Sequence, residues 1–307
     1  MGKHHARVYR QLTGSDLVGV VDLDRPRAQA VAGANGASEM DLSSLLDRVD
    51  AVSVAVPTSA HFEIDRECIE AGVDVLVEKP FVENIDEGQK LAAMAHDAGV
   101  VLQVGHIERF NPAVQTMLEV LDDGGFVASS ARRLGPPANR PIEDGVIRDL
   151  MIHDLDIHLA MAESMPESIE AATCNGGEYA TAILTFPNGR VSTLTASRIT
   201  QRRIRELHIT TNESQVSVDY LDQSVHIHRQ SLPEYVQEDG NLRYRNNSVV
   251  EQPFVEREEP LKNQLESFLE ASRTDSRPVV TAEDGLRVLT VATRIEEQAR
   301  RLSPEVD

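Results

Sequence analysis

The shortages in this chain narrow its function before any motif is read. Only two cysteines occur, Cys68 and Cys174, and their spacing fits neither a metal motif nor a disulfide framework. Both are expected to be small buried hydrophobes, kept reduced in a cytoplasm. No stretch reaches the ~20 apolar residues of a transmembrane helix. The N-terminus has no apolar signal core, so a cytoplasmic location is expected. Lysine is scarce: Lys3, Lys79, Lys90 and Lys262 are the only four among 30 basic residues, which face 50 acidic ones. A net charge of −20 disfavours nucleic acid and anionic membranes as partners. Such a surface suits molar salt, where self-repulsion is screened, so a halophile's cytoplasm is the expected setting. Internal repeats and low-complexity segments are absent too.

The 307 residues, 41% of them apolar, suit two domains. Up to residue 112, short Val-rich runs alternate with helical stretches. LVGVVD (17–22), DAVSVAVP (50–57), VDVLVEKP (73–80) and VVLQVGH (100–106) read as strands. Helices are expected over 3–12, 25–32 (ending at Gly33), 41–46, 60–71 and 85–98. Continuous apolar strands separated by helices indicate a parallel sheet covered on both faces, a Rossmann-like α/β domain. From residue 113 to 307 the pattern changes. Helices at 113–121, 147–163, 261–272 and 282–302 flank a run of alternating strands, with Pro187-Asn188-Gly189 as a hairpin turn. This second part reads as an α+β domain with a mostly antiparallel sheet.

Four clusters carry chemistry. Asp22 ends a strand, where a dinucleotide fold binds the adenosine ribose hydroxyls; its charge would repel a 2′-phosphate and so favours NAD over NADP. Lys79, in Glu78-Lys79-Pro80, ends another strand and points to the crevice where open α/β sheets bind ligands. There its ammonium could stabilise a developing alkoxide. His106, Arg109 and Asn111 sit at the domain junction, as a capped linker or as substrate contacts, with Arg109 suited to phosphate or carboxylate. In DLMIHDLDIH (149–158), Asp149 and His153 are four apart on one helix face, with Asp156 nearby. A carboxylate beside an imidazole orients it as a general base. A metal site is disfavoured, because no HExxH-type spacing occurs; the bland alternative is an amphipathic helix with exposed charges.

In this order, HARVY, Asp22, AVPTSAH (55–61), EKP, GHIERFNP and DLMIHD resemble the Gfo/Idh/MocA family of NAD(P)-dependent oxidoreductases over nearly the whole chain. The resemblance implies a Rossmann domain and an open-sheet domain that often forms the interface of a homo-oligomer, a dimer or tetramer. It also implies that Lys79, Asp149 and His153 are catalytic, with Pro57 and His61 near the nicotinamide. GHIERFNP and GVIRDLMIHDLDI look most like the members that oxidise the 3-hydroxyl of UDP-N-acetylglucosamine or its uronate. Arg109, with Arg132, Arg133 or Arg140, would then meet diphosphate or carboxylate. Inositol and free sugars are the alternative substrates; a cofactor-free scaffold is the alternative to an enzyme.

The family's first strand and the first two glycines of G-x-G-x-x-G precede nothing here: Gly2 stands where the third glycine would, allowing helix to pack closely on strand. Without that central strand, 17–22 and 50–57 would leave backbone groups unpaired, at ~1–3 kcal/mol each. Several of these rival a domain's whole stability of ~5–15 kcal/mol. The expectation is therefore that translation starts upstream, the alternative being a real truncation with weakened cofactor binding.

Overall fold

The computed structural model describes residues 1–121, 125–137, 144–230, 234–238, 241–245 and 248–302. In chain order, the first part holds α1 (Gly2–Gln11), β1 (Gly19–Val20), α2 (Arg25–Asn35), β2 (Ser38–Glu39), α3 (Leu42–Leu46), β3 (Ala51–Val54), α4 (His61–Glu70), β4 (Asp74–Glu78), α5 (Ile85–Ala98) and β5 (Leu102–Gly105). The second begins with α6 (Pro112–Leu121) and β6 (Ala128–Leu134), then a π-helical turn (Ile147–Met151) that leads into α7 (Ile152–Ala162). Strands β7 (Ser168–Cys174), β8 (Tyr179–Thr185), β9 (Val191–Ser197), β10 (Ile204–Thr210), β11 (Gln215–Asp219), β12 (Ser224–Gln230), β13 (Glu234–Glu238), β14 (Asn241–Arg245) and β15 (Ser248–Glu251) follow. Two helices close the chain, α8 (Pro260–Thr274) and α9 (Ala282–Leu302).

These elements form two compact units. One comprises Met1–Phe110 with Glu258–Thr290, the other Asn111–Arg257 with Val291–Asp307. The expected division at residue 112 did not foresee that α8 joins the first unit. The reason is apolar packing: Leu261, Leu265 and Phe268 of α8 share a core with Val8 and Leu12 of α1 and with Leu76.

The first unit carries two parallel sheets, β1-β2 and β3-β4-β5. Among the described residues, no strand joins them. β4 is a continuous apolar run, with Val75, Leu76 and Val77 all at 0% exposure, as a strand covered on both faces requires. Caps fix the helices: Asn84 accepts a hydrogen bond from Glu87 N (3.0 Å), and Gly99 ends α5 in the left-handed region. α2 runs past Gly33 and ends at Gly36, whose φ of 72° supplies the left-handed cap that an end at Gly33 would have needed.

The second unit is built on an eight-stranded sheet, ordered β15-β12-β11-β10-β6-β9-β8-β7, beside a β13-β14 hairpin. All its neighbours are antiparallel except β6 and β9. The Pro187–Gly189 turn joins β8 to β9 as its sequence suggests. Strands β6, β7 and β13 to β15 lacked a sequence signal. ASSARRL alternates correctly, with Ser129, Ala131 and Arg133 buried, but small and basic residues are poor strand formers. Cysteine burial splits: Cys68 is buried, while Cys174, at the end of β7, is exposed, contrary to expectation. Burial, then the neighbouring Asp65, pushes the Cys68 thiol up to about 12, so it is inert. Among the described residues, no helix is long and apolar enough to cross a membrane.

Candidate active site

In the first unit the candidate side chains lie where parallel strands end, the position at which open α/β sheets bind ligands. Asp22 follows β1, half-buried in a turn. Its Oδ1 accepts from Asp24 N (2.8 Å), and its Oδ2 lies 3.4 Å from Arg27 Nη1. The carboxylate is thus oriented and accessible, as a ribose-binding acid must be. Pro57 follows β3 and is exposed. Lys79 follows β4, half-buried, and its peptide bond to Pro80 is cis.

His61, at the start of α4, is 1% exposed, and each of its ring nitrogens faces backbone carbonyls. Nδ1 lies 3.0 Å from Pro80 O and 3.1 Å from Phe81 O; Nε2 lies 3.1 Å from Val56 O. The ring therefore ties the segment after Lys79 to the end of β3. Glu78 is buried under Lys79 and takes a hydrogen bond from His5 Nε2 on α1 (3.0 Å). Burial pushes the Glu78 carboxyl up, but the His5 hydrogen bond and the charges of His5 and Lys79 outweigh it and leave it below its ordinary value. Helix α1 is thereby pinned to the strand that carries the candidate catalytic lysine. His5 was missed in the sequence, although it lies on the buried face of α1 with Val8 and Leu12, at helical spacing.

Gly2 opens α1. A Cβ there would meet only Ala55 Cβ, at 3.9 Å, an ordinary contact. Nothing closer crowds the position among the described residues, so the close packing expected of Gly2 is not seen there. After β5, the His106 ring is 1% exposed, whereas Arg109 is half-buried. Taken together, an oriented acid after β1, an exposed proline after β3 and a lysine after β4 are groups that could hold NAD, Asp22 by its ribose and Pro57 and Lys79 by its nicotinamide.

In the second unit, the Asn111 amide serves the fold. Its Oδ1 accepts from Ala113 N (3.1 Å) and its Nδ2 donates to Tyr220 O (3.2 Å). Asp149 lies in the π turn, and Ile152 N donates to Ile147 O five residues back. A turn closed this way holds an extra residue, so the four-residue step from Asp149 to His153 is not the regular α-helical one the sequence predicts. Such insertions recur at functional sites. Both side chains are half-buried.

The charges of α7 are not on an exposed face. Asp154 (3%), Asp156 (0%) and His158 (0%) are all buried. Arg133 on β6 donates to both Asp154 oxygens, Nε at 2.8 Å and Nη2 at 2.9 Å, and stacks over the Tyr220 ring at 5.1 Å. His158 Nδ1 donates to Asp154 O (2.7 Å). Burial lowers the His158 imidazole below its ordinary 6.5, against the raising effect of that bond. Of the arginines expected to meet phosphate, Arg133 is therefore committed to Asp154, and Arg132 pairs with Glu206 (3.0 Å). Arg140 lies outside the described residues. The Arg133–Asp154 pair escaped the sequence because its partners are far apart in the chain. The hint was acids inside an otherwise apolar helix, which is buried all round. No three His, Cys, Asp or Glu side chains among the described residues are grouped as metal ligands.

Comparison with known proteins gives a consistent picture. Residues 1–106 match the oxidoreductase family GFO/IDH/MocA, NAD-binding Rossmann fold, and residues 126–217 match the GFO/IDH/MocA C-terminal domain. Over 303 residues the chain is 33% identical to UDP-N-acetylglucosamine 3-dehydrogenase from Acidithiobacillus ferrooxidans, spanning 96% of this chain and 93% of that one. A crystal form of that enzyme superposes with a TM-score of 0.89 at 31% identity, covering 99% of this chain and 96% of the other. Inositol 2-dehydrogenase from Rhizobium meliloti is 24% identical over 312 residues, 95% of this chain and 92% of that one.

Proposed function

Since the chain belongs to the Gfo/Idh/MocA family of NAD-binding oxidoreductases, we propose that it oxidises the C3 hydroxyl of a UDP-linked N-acetylhexosamine or of its uronate. The family assignment itself makes it a dehydrogenase acting on CH–OH groups with NAD. The observation that carries the substrate is the 33% identity to a UDP-N-acetylglucosamine 3-dehydrogenase over 96% of the chain, against 24% to an inositol dehydrogenase.

NAD, when bound, supplies the hydride acceptor. His153 takes the hydroxyl proton, Asp149 orients the imidazole and stabilises the imidazolium it becomes, and Lys79 stabilises the alkoxide as it forms. Lys79 and His153 can exchange these parts, since each has a nitrogen that accepts a proton when neutral and donates one when protonated. Asp22 holds the adenosine ribose, and Arg109 faces an acidic group of the substrate. The alcohol loses one hydride and one proton and becomes the ketone; a secondary alcohol therefore suffices as substrate, with no further co-reactant.

The test is NADH formation with UDP-N-acetylglucosamine, its uronate, free N-acetylglucosamine and myo-inositol side by side. Turnover of the UDP-sugars and not of the free polyols is expected. Preferential oxidation of inositol or a free sugar overturns the substrate, and no NADH formation with any of them favours the scaffold.

A further inference from the structure

Resting on the nucleotide-sugar reading, we propose that Arg198, Arg202 and Arg203, in the loop between β9 and β10, form the anion subsite for the substrate's diphosphate. Four arginines fall within eight residues, Arg198, Arg202, Arg203 and Arg205, in a chain whose net charge is −20. Such a concentration in an acidic protein makes a local positive field that attracts and holds a polyanion.

The topology brings this loop to the candidate catalytic residues of the same unit. β6 and β9 are parallel neighbours ending together at Leu134 and Ser197, and β10 starts beside Leu134 at Ile204. Gly135 N donates to Ser197 O (3.0 Å), and Thr200 N donates to Gly135 O (3.0 Å). Arg198 Nη2 donates to Asp144 O (2.6 Å), and one residue further on, Gly145 O accepts from Asp149 N (2.9 Å). The loop is therefore fastened to the segment that begins the π turn of Asp149.

The arginines themselves point to a ligand. Arg198 is 8% exposed; its Nε forms an ion pair with Glu178 Oε2 at 3.4 Å, without the alignment of a hydrogen bond. The hydrogen-bonding capacity of this buried guanidinium is therefore only partly met among the described residues, which leaves room for a better-placed acceptor. Arg202 and Arg203 are exposed and make no ion pair with any described residue. Arg205 is occupied, donating to Leu134 O (2.6 Å) and Ile204 O (2.8 Å), and so braces the loop. Planar, always-charged forks of this kind match diphosphate oxygens.

The experiment measures binding of UDP and of inorganic pyrophosphate to the full chain by calorimetry, with Arg202→Gln/Arg203→Gln and, as a control at the opposite end of the same sheet, Arg229→Gln. Wild type and control bind both ligands, and the double variant weakens each by about tenfold or more, a loss that shrinks in high salt. With UDP-N-acetylglucosamine the double variant raises KM and leaves kcat within about twofold. Equal binding by wild type and double variant, or no UDP binding by wild type, overturns the subsite. The substrate reading is judged separately by turnover: UDP-sugar oxidation with unchanged binding sinks the subsite alone, and arginine-dependent UDP binding without UDP-sugar oxidation sinks the substrate alone.

Discussion

Single residues decide the chemistry. Lys79→Ala and His153→Ala are each expected to lower turnover by about 10²–10⁴-fold, the usual worth of a positioned proton-transfer or alkoxide-stabilising group. Steady-state NADH formation checks this, and near-full turnover in both variants removes them from the mechanism. Under the proposed reading Asp22 sets cofactor choice through its charge, and Arg27 lies 3.4 Å from its Oδ2. Asp22→Ser removes the repulsion and leaves that arginine to meet a 2′-phosphate, so kcat/KM for NADP relative to NAD should rise by about tenfold or more. An unchanged ratio would place the ribose elsewhere. At this scale the candidates were legible. Lys79 stands out because lysine is rare, and Asp149 and His153 because acid and imidazole recur within one helix. His5 and Arg133 were not, because their partners, Glu78 and Asp154, lie far along the chain and meet only in the fold.

Elements hold these residues through buried polar groups whose costs differ in sign. The Arg133–Asp154 pair joins β6 to α7 beside His153, with both side chains about 5% exposed. Asp154→Ala removes the carboxylate that accepts both of these hydrogen bonds from the buried guanidinium and should cost about 3–5 kcal/mol in urea unfolding. Asp65 on α4 is the opposite case: fully buried, with no hydrogen-bond partner for either oxygen among the described residues, and desolvation raises its pKa well above 3.8. A raised carboxyl contributes stability that is complete below 3.8 and is lost as pH rises through its folded value. Asp65→Asn therefore removes that loss and should stabilise the protein near neutral pH by about 1–3 kcal/mol. His158 works the other way. Its lowered pKa gives stability that is present above 6.5 and lost as pH falls through its folded value. Thermal unfolding of wild type and Asp65→Asn across pH separates the two, and parallel curves would refute the account of Asp65.

The molecule as a whole carries a charge of −20, with 50 acidic against 30 basic residues. Self-repulsion on that scale destabilises the compact state until salt screens it. Adding molar KCl should raise the melting temperature, and a fall would refute the high-salt reading. The same acidity gives the arginines of the β9–β10 loop their contrast.

The sequence by itself determined the alternation of α and β elements, the parallel strands and their end residues, the hairpin at Pro187–Gly189 and the family. These follow from local periodicity, capping and motif spacing, which need no partner in space. Tertiary structure alone decided the rest. It made ASSARRL an interior strand, drew α8 into the first unit, buried the acids of α7 and gave Asp149 a π turn. Each of those outcomes depends on what packs opposite a residue, and a linear pattern records only what stands beside it.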